Sequence, residues 1–248
     1  MLVDEFTDED LRDRTLERGN PRQYVSGGML GTFDFCPRCF EYVFLEGVKR
    51  EVTEDVKLGS EYHRAMKEWM LGTRNTVEGL NPIVAEWVKW TVELEGRRAK
   101  RPGYHPPVMV ERKFRSPELL IEGHPDRVDW QDYERRTLAI VEYKTGHKVY
   151  ERAVKMQLGF YGVLVSAVTG LEVERLVMIN PRLKDVRIWE LDESLVKMVA
   201  RAVAKIRYAV AVDKFPRRCT VGKYRVCGLC DFNEVLDEMF PSEESEVR

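Results

Sequence analysis

Two acids and a lysine carry the most chemistry in this sequence: Asp126, preceded by Pro125, and the triplet Glu142-Tyr143-Lys144. Residues 137–144 read as a buried strand, apolar and partly β-branched, closed by Thr145-Gly146. Side chains alternate along a strand, so Glu142 and Lys144 point one way and Tyr143 the other. An acid and a base at the end of an apolar run are costly unless something compensates them. Asp126, on the preceding strand, supplies a second carboxylate, and two carboxylates with one lysine suit a divalent metal and a water nucleophile. Taken alone, the same residues are also a structural ion pair beside a turn aspartate.

The elements that must position these groups follow from periodicity. Residues 1–25 are polar, close on Gly19-Asn20-Pro21, and read as an N-terminal extension. Ser26 is placed to cap a helix bearing Met29, Leu30 and Phe33. Cys36-Pro37-Arg38-Cys39 ends that helix and starts another turn, with Pro37 at a first helical position; Phe40, Tyr42 and Phe44 then point inward. A helix spans about 55–71, with Leu58, Tyr62, Met66 and Trp69 on one stripe and His63 beside them. Another covers about 82–95, through Val84, Trp87, Val88, Thr91 and Leu94, and the basic run Arg97, Arg98, Lys100, Arg101 reads as a solvated linker. Strands at about 108–115, 119–130 and 137–144 form a three-stranded meander. A helix over about 150–168 follows, its stripe set by Ala153, Met156, Phe160, Val163, Leu164 and Ala167. Gln157 and Tyr161 lie one turn apart at the border of that stripe. Strands near 174–180 and 186–191 and a helix over about 193–212 complete an α/β chain. The tail from Lys214 to Phe232 holds three cysteines among Arg217, Arg218, Lys223 and Arg225, and residues 233–248 form an acidic end.

Composition bounds the function. A chain of 248 residues with 44% apolar residues buries a proper core. No apolar run approaches the roughly 18 residues of a membrane helix, and the acidic N-terminus lacks the apolar stretch of a signal peptide. A cytoplasmic protein without a membrane partner is expected. Net charge is −2, so any attraction to nucleic acid must come from local patches. One third of the residues are charged, while Gln occurs only at 23, 131 and 157, which suggests a thermophilic source. Five cysteines are an odd number, and the pairs Cys36/Cys39 and Cys227/Cys230 favour a metal over disulfides.

Pro125-Asp126 followed by Glu142-Tyr143-Lys144 resembles the PD-(D/E)xK nucleases, and the flanking residues resemble their RecB-like branch. That branch includes CRISPR-associated adaptation nucleases and helicase-linked exonucleases. Gly59 to His63 matches a helical Gly-x-x-x-His, Gly123 to Asp129 a Gly-x-x-Asp-x-x-Asp strand, and Gln157/Tyr161 a helical Gln-x-x-x-Tyr. Cys36-Pro37 and Cys227–Cys230 match an early Cys-Pro and a late Cys-x-x-Cys. The resemblance covers residues 26–232 and implies one nuclease domain with a restriction-endonuclease-like core, a mixed central sheet flanked by helices. It implies Asp126, Glu142, His63 and the backbone carbonyl of Tyr143 as ligands of Mg²⁺ or Mn²⁺. Imidazole favours Mn²⁺ somewhat. Lys144 is then expected near the attacking water or the phosphate, with Gln157 and Tyr161 positioning water or the strand.

The resemblance further implies a four-iron four-sulfur cluster that joins the N-terminal helices to the C-terminal tail. Cys36, Cys227 and Cys230 match by position. No cysteine follows Cys230, so the fourth ligand is Cys219 or Cys39. Zinc on Cys36, Cys39, Cys227 and Cys230 is the chemical alternative. The implied substrate is DNA, as single strands or ends, with a helicase or CRISPR adaptation proteins as partners. Tyr150, Arg152, Lys155 and the Arg217–Arg225 patch are candidate strand contacts. The competing expectation is a DNA-binding adaptor in which a zinc staple stabilises a docking module and cleavage is incidental.

Overall fold

The computed structural model describes residues 20–49 and 52–218. The chain begins with the short strand β1 (Val25–Ser26), then helices α1 (Gly27–Phe35) and α2 (Pro37–Phe40) and one π-helical turn, Glu41–Leu45. Helices α3 (Glu54–Met70) and α4 (Pro82–Ala99) follow. Thr53 caps α3 by accepting from the Val56 N–H, and Asn81 caps α4 by accepting from the Ile83 N–H, with Pro82 at the first turn.

Next come β2 (Met109–Val110), β3 (Phe114–Ser116), β4 (Ile121–Gly123), β5 (Arg127–Asp132) and β6 (Thr137–Tyr143). Helix α5 (Glu151–Thr169), strands β7 (Val173–Asn180) and β8 (Asp185–Glu190), and helix α6 (Glu193–Val212) complete the order. Gly170 ends α5 in the left-handed conformation at φ 71°, and Asp192 caps α6 through the Leu195 N–H.

The main sheet runs β2-β5-β6-β7-β8, antiparallel except for the parallel pair β6/β7. A parallel pair needs a crossover, and α5 provides it. Alternation along β6 and β7 divides the core in two. Leu138, Ile140, Leu176 and Met178 pack with α1, α5 and α6, whereas Val141, Tyr143 and Ile179 pack with α3 and α4. Each such fully buried side chain contributes roughly 1.5–3 kcal/mol.

The expected meander is present in the order β2-β5-β6, but its first hairpin is broken in the middle. Its outer half, β3/β4, joins β1 in a separate three-stranded sheet; its inner half, β2/β5, belongs to the main sheet. Pro125 cannot donate to a ladder, and opposite it Glu111 turns through φ 49°. A bond from the Glu111 N–H to the Asp126 carbonyl (2.8 Å) holds the two kinks together.

Two further expectations need correction. Helix α4 runs on to Ala99, so Arg97 and Arg98 are helical rather than linker, and Arg98 pairs with the buried Asp129 at 2.8 Å. In α5 the buried residues are Val154, Leu158, Phe160, Tyr161, Leu164 and Val165, while Ala153 and Ala167 are exposed. The stripe is rotated because α5 is covered by the sheet and by α1 and α6 together, and its glycines let them close in. A Cβ at Gly159 would lie 2.9 Å from Leu195, and one at Gly162 would lie 2.7 Å from Leu191.

Candidate active site

The break in the hairpin lifts Asp126 out of the ladder, just ahead of β5. Its carboxylate bridges two elements: Oδ2 accepts from the Tyr143 N–H at 2.6 Å, and Oδ1 lies 3.1 Å from Nδ1 of His63 on α3. Glu142 leaves β6 on the α5 side. Its Oε1 accepts from the Lys144 ammonium (3.0 Å) and from Gln157 Nε2 (3.3 Å). Lys144 also donates to Gln157 Oε1 at 2.8 Å, and Gln157 Nε2 donates to the Tyr161 hydroxyl at 3.1 Å. Seven residues spread over nearly a hundred positions therefore form two hydrogen-bonded sets, joined through the backbone of β6, that make up the network around its end. Tyr143 turns its ring the other way, against Tyr62 and His63, with its hydroxyl accepting from Arg127 at 3.0 Å.

Glycines set the spacing. A Cβ on Gly59 would lie 2.8 Å from Thr145 Oγ1, so only glycine lets α3 lie this close to the loop after Lys144, four residues before His63. The Tyr161 ring sits where side chains on Gly27 and Gly123 would intrude, at 2.9 and 2.8 Å. Buried Asn180 anchors the same loop by donating to the Gly146 carbonyl at 2.9 Å.

The sequence reading missed Glu111. Its carboxylate gathers with His63 and Asp126, ligand atoms within 4.8 Å of one another, and lies 3.3 Å from His124 Nε2. Glu111 sits at the left-handed kink inside what reads as a continuous strand, and periodicity does not show such a kink. The one visible signal is the polar run Glu111-Arg112-Lys113 interrupting that strand. Asp129, by contrast, turns away from the site. It joins Arg127 (3.0 Å), Arg98 and Glu95 in a buried ion network between β5 and α4.

The electrostatics are those of a site short of positive charge. Glu142 is 5% exposed, and its Oε2 has no hydrogen-bond partner among the described residues. Burial and then the Asp126 charge push its carboxyl up to about 7, against the pull of Lys144 and His63. Glu111 is likewise raised, by burial and by Asp126. Burial lowers His63, but the Asp126 carboxylate, with Glu142 and Glu111 behind it, more than offsets this and lifts the imidazole above 6.5. The grouping of His63, Glu111 and Asp126 fits a divalent cation with oxygen and nitrogen donors, and the orphaned Glu142 oxygen stands in the field of the same Asp126 and His63.

Two hollows open beside the network. One, of about 620 Å³, is lined by Gly59, Ser60, His63 and Thr145; the other, of about 250 Å³, by Lys144 and Gln157, and Gly146 borders both. Of the candidate strand contacts, Tyr150 lines the second hollow, whereas Arg152 and Lys155 face a separate one against Asp192 and Ser194. Cys36 and Cys39 are buried, and the Arg218 N–H donates to Cys36 Sγ at 3.4 Å. Cys219, Cys227, Cys230, Lys223 and Arg225 lie outside the described residues.

No curated protein matches the sequence. Among solved structures, a candidate exonuclease from Eubacterium rectale is similar, with TM-score 0.55 and 12% identity, covering 93% of this chain and 98% of that one. At that identity the likeness shows the fold, a mixed sheet flanked by helices as in restriction endonucleases. A second structure, SSO0001, is 17% identical over 84% of each chain, at TM-score 0.39. The family model of the PD-(D/E)XK nuclease superfamily matches residues 24–235, a stretch that contains every residue of the network around β6, and the chain belongs to that superfamily.

Proposed function

We propose that this chain is a divalent-metal-dependent deoxyribonuclease of the RecB-like type that acts on single strands or ends. The observation that carries the reading is the partnerless, buried Oε2 of Glu142 in a cluster with too few cations of its own. Asp126, Glu142 and His63 would hold Mg²⁺ or Mn²⁺, with the Tyr143 carbonyl and Glu111 as further donors. A bound cation would acidify water and neutralise charge on the phosphodiester.

The chain's own residues prepare the rest. Lys144 is pinned by Glu142 and Gln157, so its ammonium is fixed where negative charge develops and needs no reorganisation. Tyr161 holds Gln157 and remains a phenol, since burial raises its pKa. Asp126 fixes the β6 end through the Tyr143 N–H and orients the His63 ring through Nδ1.

The test uses end-labelled single- and double-stranded DNA with Mg²⁺, Mn²⁺ or chelator. Wild type should cleave only with metal. Glu142→Ala should be inactive yet folded. Cleavage that survives in an Asp126→Ala, Glu142→Ala double variant would refute the reading, and binding without any cleavage by wild type would favour an adaptor.

The proposal includes a four-iron four-sulfur cluster on Cys36, Cys227, Cys230 and Cys219. Arg218 bonds to Cys36 Sγ, which brings the chain to within one residue of Cys219 beside the early cysteine and supports Cys219 over Cys39 as fourth ligand. Anaerobic purification should give visible absorbance and iron; stoichiometric zinc with no visible absorbance would exclude the cluster.

A further inference from the structure

The hollow between α1 and the start of α5 has features that folding does not require. Its walls are Lys144 and Gln157 of the acidic network, Lys148, Tyr150, and the glycines Gly27, Gly28 and Gly31 of α1. Lys148 is exposed and makes no ion pair with any described residue. Tyr150 is 73% exposed, an aromatic ring with no apolar packing among the described residues to explain it. Gly27 is explained by the Tyr161 ring, but a Cβ on Gly28 or Gly31 would meet nothing within 4 Å among the described residues. Neither has positive φ. Each glycine in a helix costs about 1 kcal/mol relative to alanine, and here no neighbour among the described residues demands it. What the two missing side chains leave is open space facing a lysine and an aromatic ring.

We propose that this hollow is the subsite for the DNA strand flanking the scissile bond: Lys148 takes a backbone phosphate, Tyr150 stacks on a base, and Gly28 and Gly31 keep the facing wall bare. A cation on a flexible stem and an exposed aromatic are the two parts of a sequence-tolerant single-strand platform. Lys144 and Gln157 line it and also bond to Glu142, so a strand seated here lies beside the reacting centre. The inference rests on the nuclease reading and names where its substrate lies.

The experiment measures anisotropy of a labelled oligothymidylate with the full-length Glu142→Gln chain in Mn²⁺, after confirming that this chain does not cleave. On that background Tyr150→Ala should weaken binding at least about fivefold, with Tyr150→Trp retaining it. Lys148→Gln should reduce the slope of log affinity against log salt by about 0.7, the loss of one phosphate contact on a single strand. Gly31→Leu favours the helix and its Cβ would meet no described residue within 4 Å, so it should fold normally yet block the strand. Lys205→Gln, on α6, should bind as the background does. If the Tyr150, Lys148 and Gly31 variants bind as tightly as the background, or if the background binds no strand, the subsite is wrong. Cleavage by Glu142→Gln itself would instead overturn the catalytic reading.

Discussion

Glu142 shows most directly that the site is built for something other than stability. An ordinary glutamate ionises near 4.5, and this one is pushed up to about 7 by burial and by Asp126. The folded chain therefore binds a proton more tightly than the unfolded chain throughout that window. The group's contribution to stability is complete below about 4.5 and is lost as the pH rises through about 7. Chelated protein should accordingly show a falling Tm between about pH 5 and pH 8. Glu142→Gln keeps the shape and removes the charge, so in chelator it should flatten that part of the profile and raise Tm at the alkaline end. Added Mn²⁺ should stabilise wild type there more than it stabilises the variant. Calorimetry over pH, with and without metal, checks this; equal profiles for the two chains would mean that Glu142 is not the strained group.

At the scale of elements, the site depends on how closely α3 lies against the loop after β6. A Cβ on Gly59 would lie 2.8 Å from Thr145 Oγ1, and His63 follows one turn later. Gly59→Ala gains about 1 kcal/mol of helix propensity and loses a similar amount to overpacking. Its denaturation midpoint should therefore change little. Activity should fall about tenfold or more, because misplacing a catalytic group by an ångström is costly. Thr145→Ala removes the offending hydroxyl, so the double variant should recover activity, and the kinetic double-mutant cycle measures that coupling. The elements themselves were largely legible, since the continuous apolar run of β6 marks a strand buried on both faces, and the 3.6 period of α3 and α6 is strong, with Thr53 and Asp192 as caps. The broken hairpin was not. Its cause is a backbone kink at Glu111 facing Pro125, and Pro125 and the polar run Glu111-Arg112-Lys113 are the only marks it leaves in the sequence. The same kink hid Glu111 from the candidate site. The rotated stripe of α5 has a related origin, because a helix covered on several sides has no single apolar face to read.

Across the whole molecule, the two acids of the Gly-x-x-Asp-x-x-Asp stretch have gone separate ways. Strand alternation does not divide them, since Asp126 stands before the ladder begins; the kinked entry into β5 does. Asp126 faces the open end of the sheet, whereas Asp129 is sealed beneath α4 with Arg127, Arg98 and Glu95. Arg127 is 2% exposed and also donates to the Tyr143 hydroxyl, so one guanidinium ties α4, β5 and β6 together behind the site. Replacing it with an apolar residue leaves Asp129 buried with less compensation, which typically costs 3–5 kcal/mol. Arg127→Met should thus lower the urea midpoint strongly. The cost comes from the stranded charge rather than from lost attraction, so Arg127→Met with Asp129→Leu should be more stable than Arg127→Met alone. Both chains should retain the network around Glu142 and cleave at temperatures where they are folded. Denaturation curves read beside cleavage rates separate the two contributions: a double variant no more stable than the single one would mean that the guanidinium acts by packing, and an inactive but folded one would make this network part of the site.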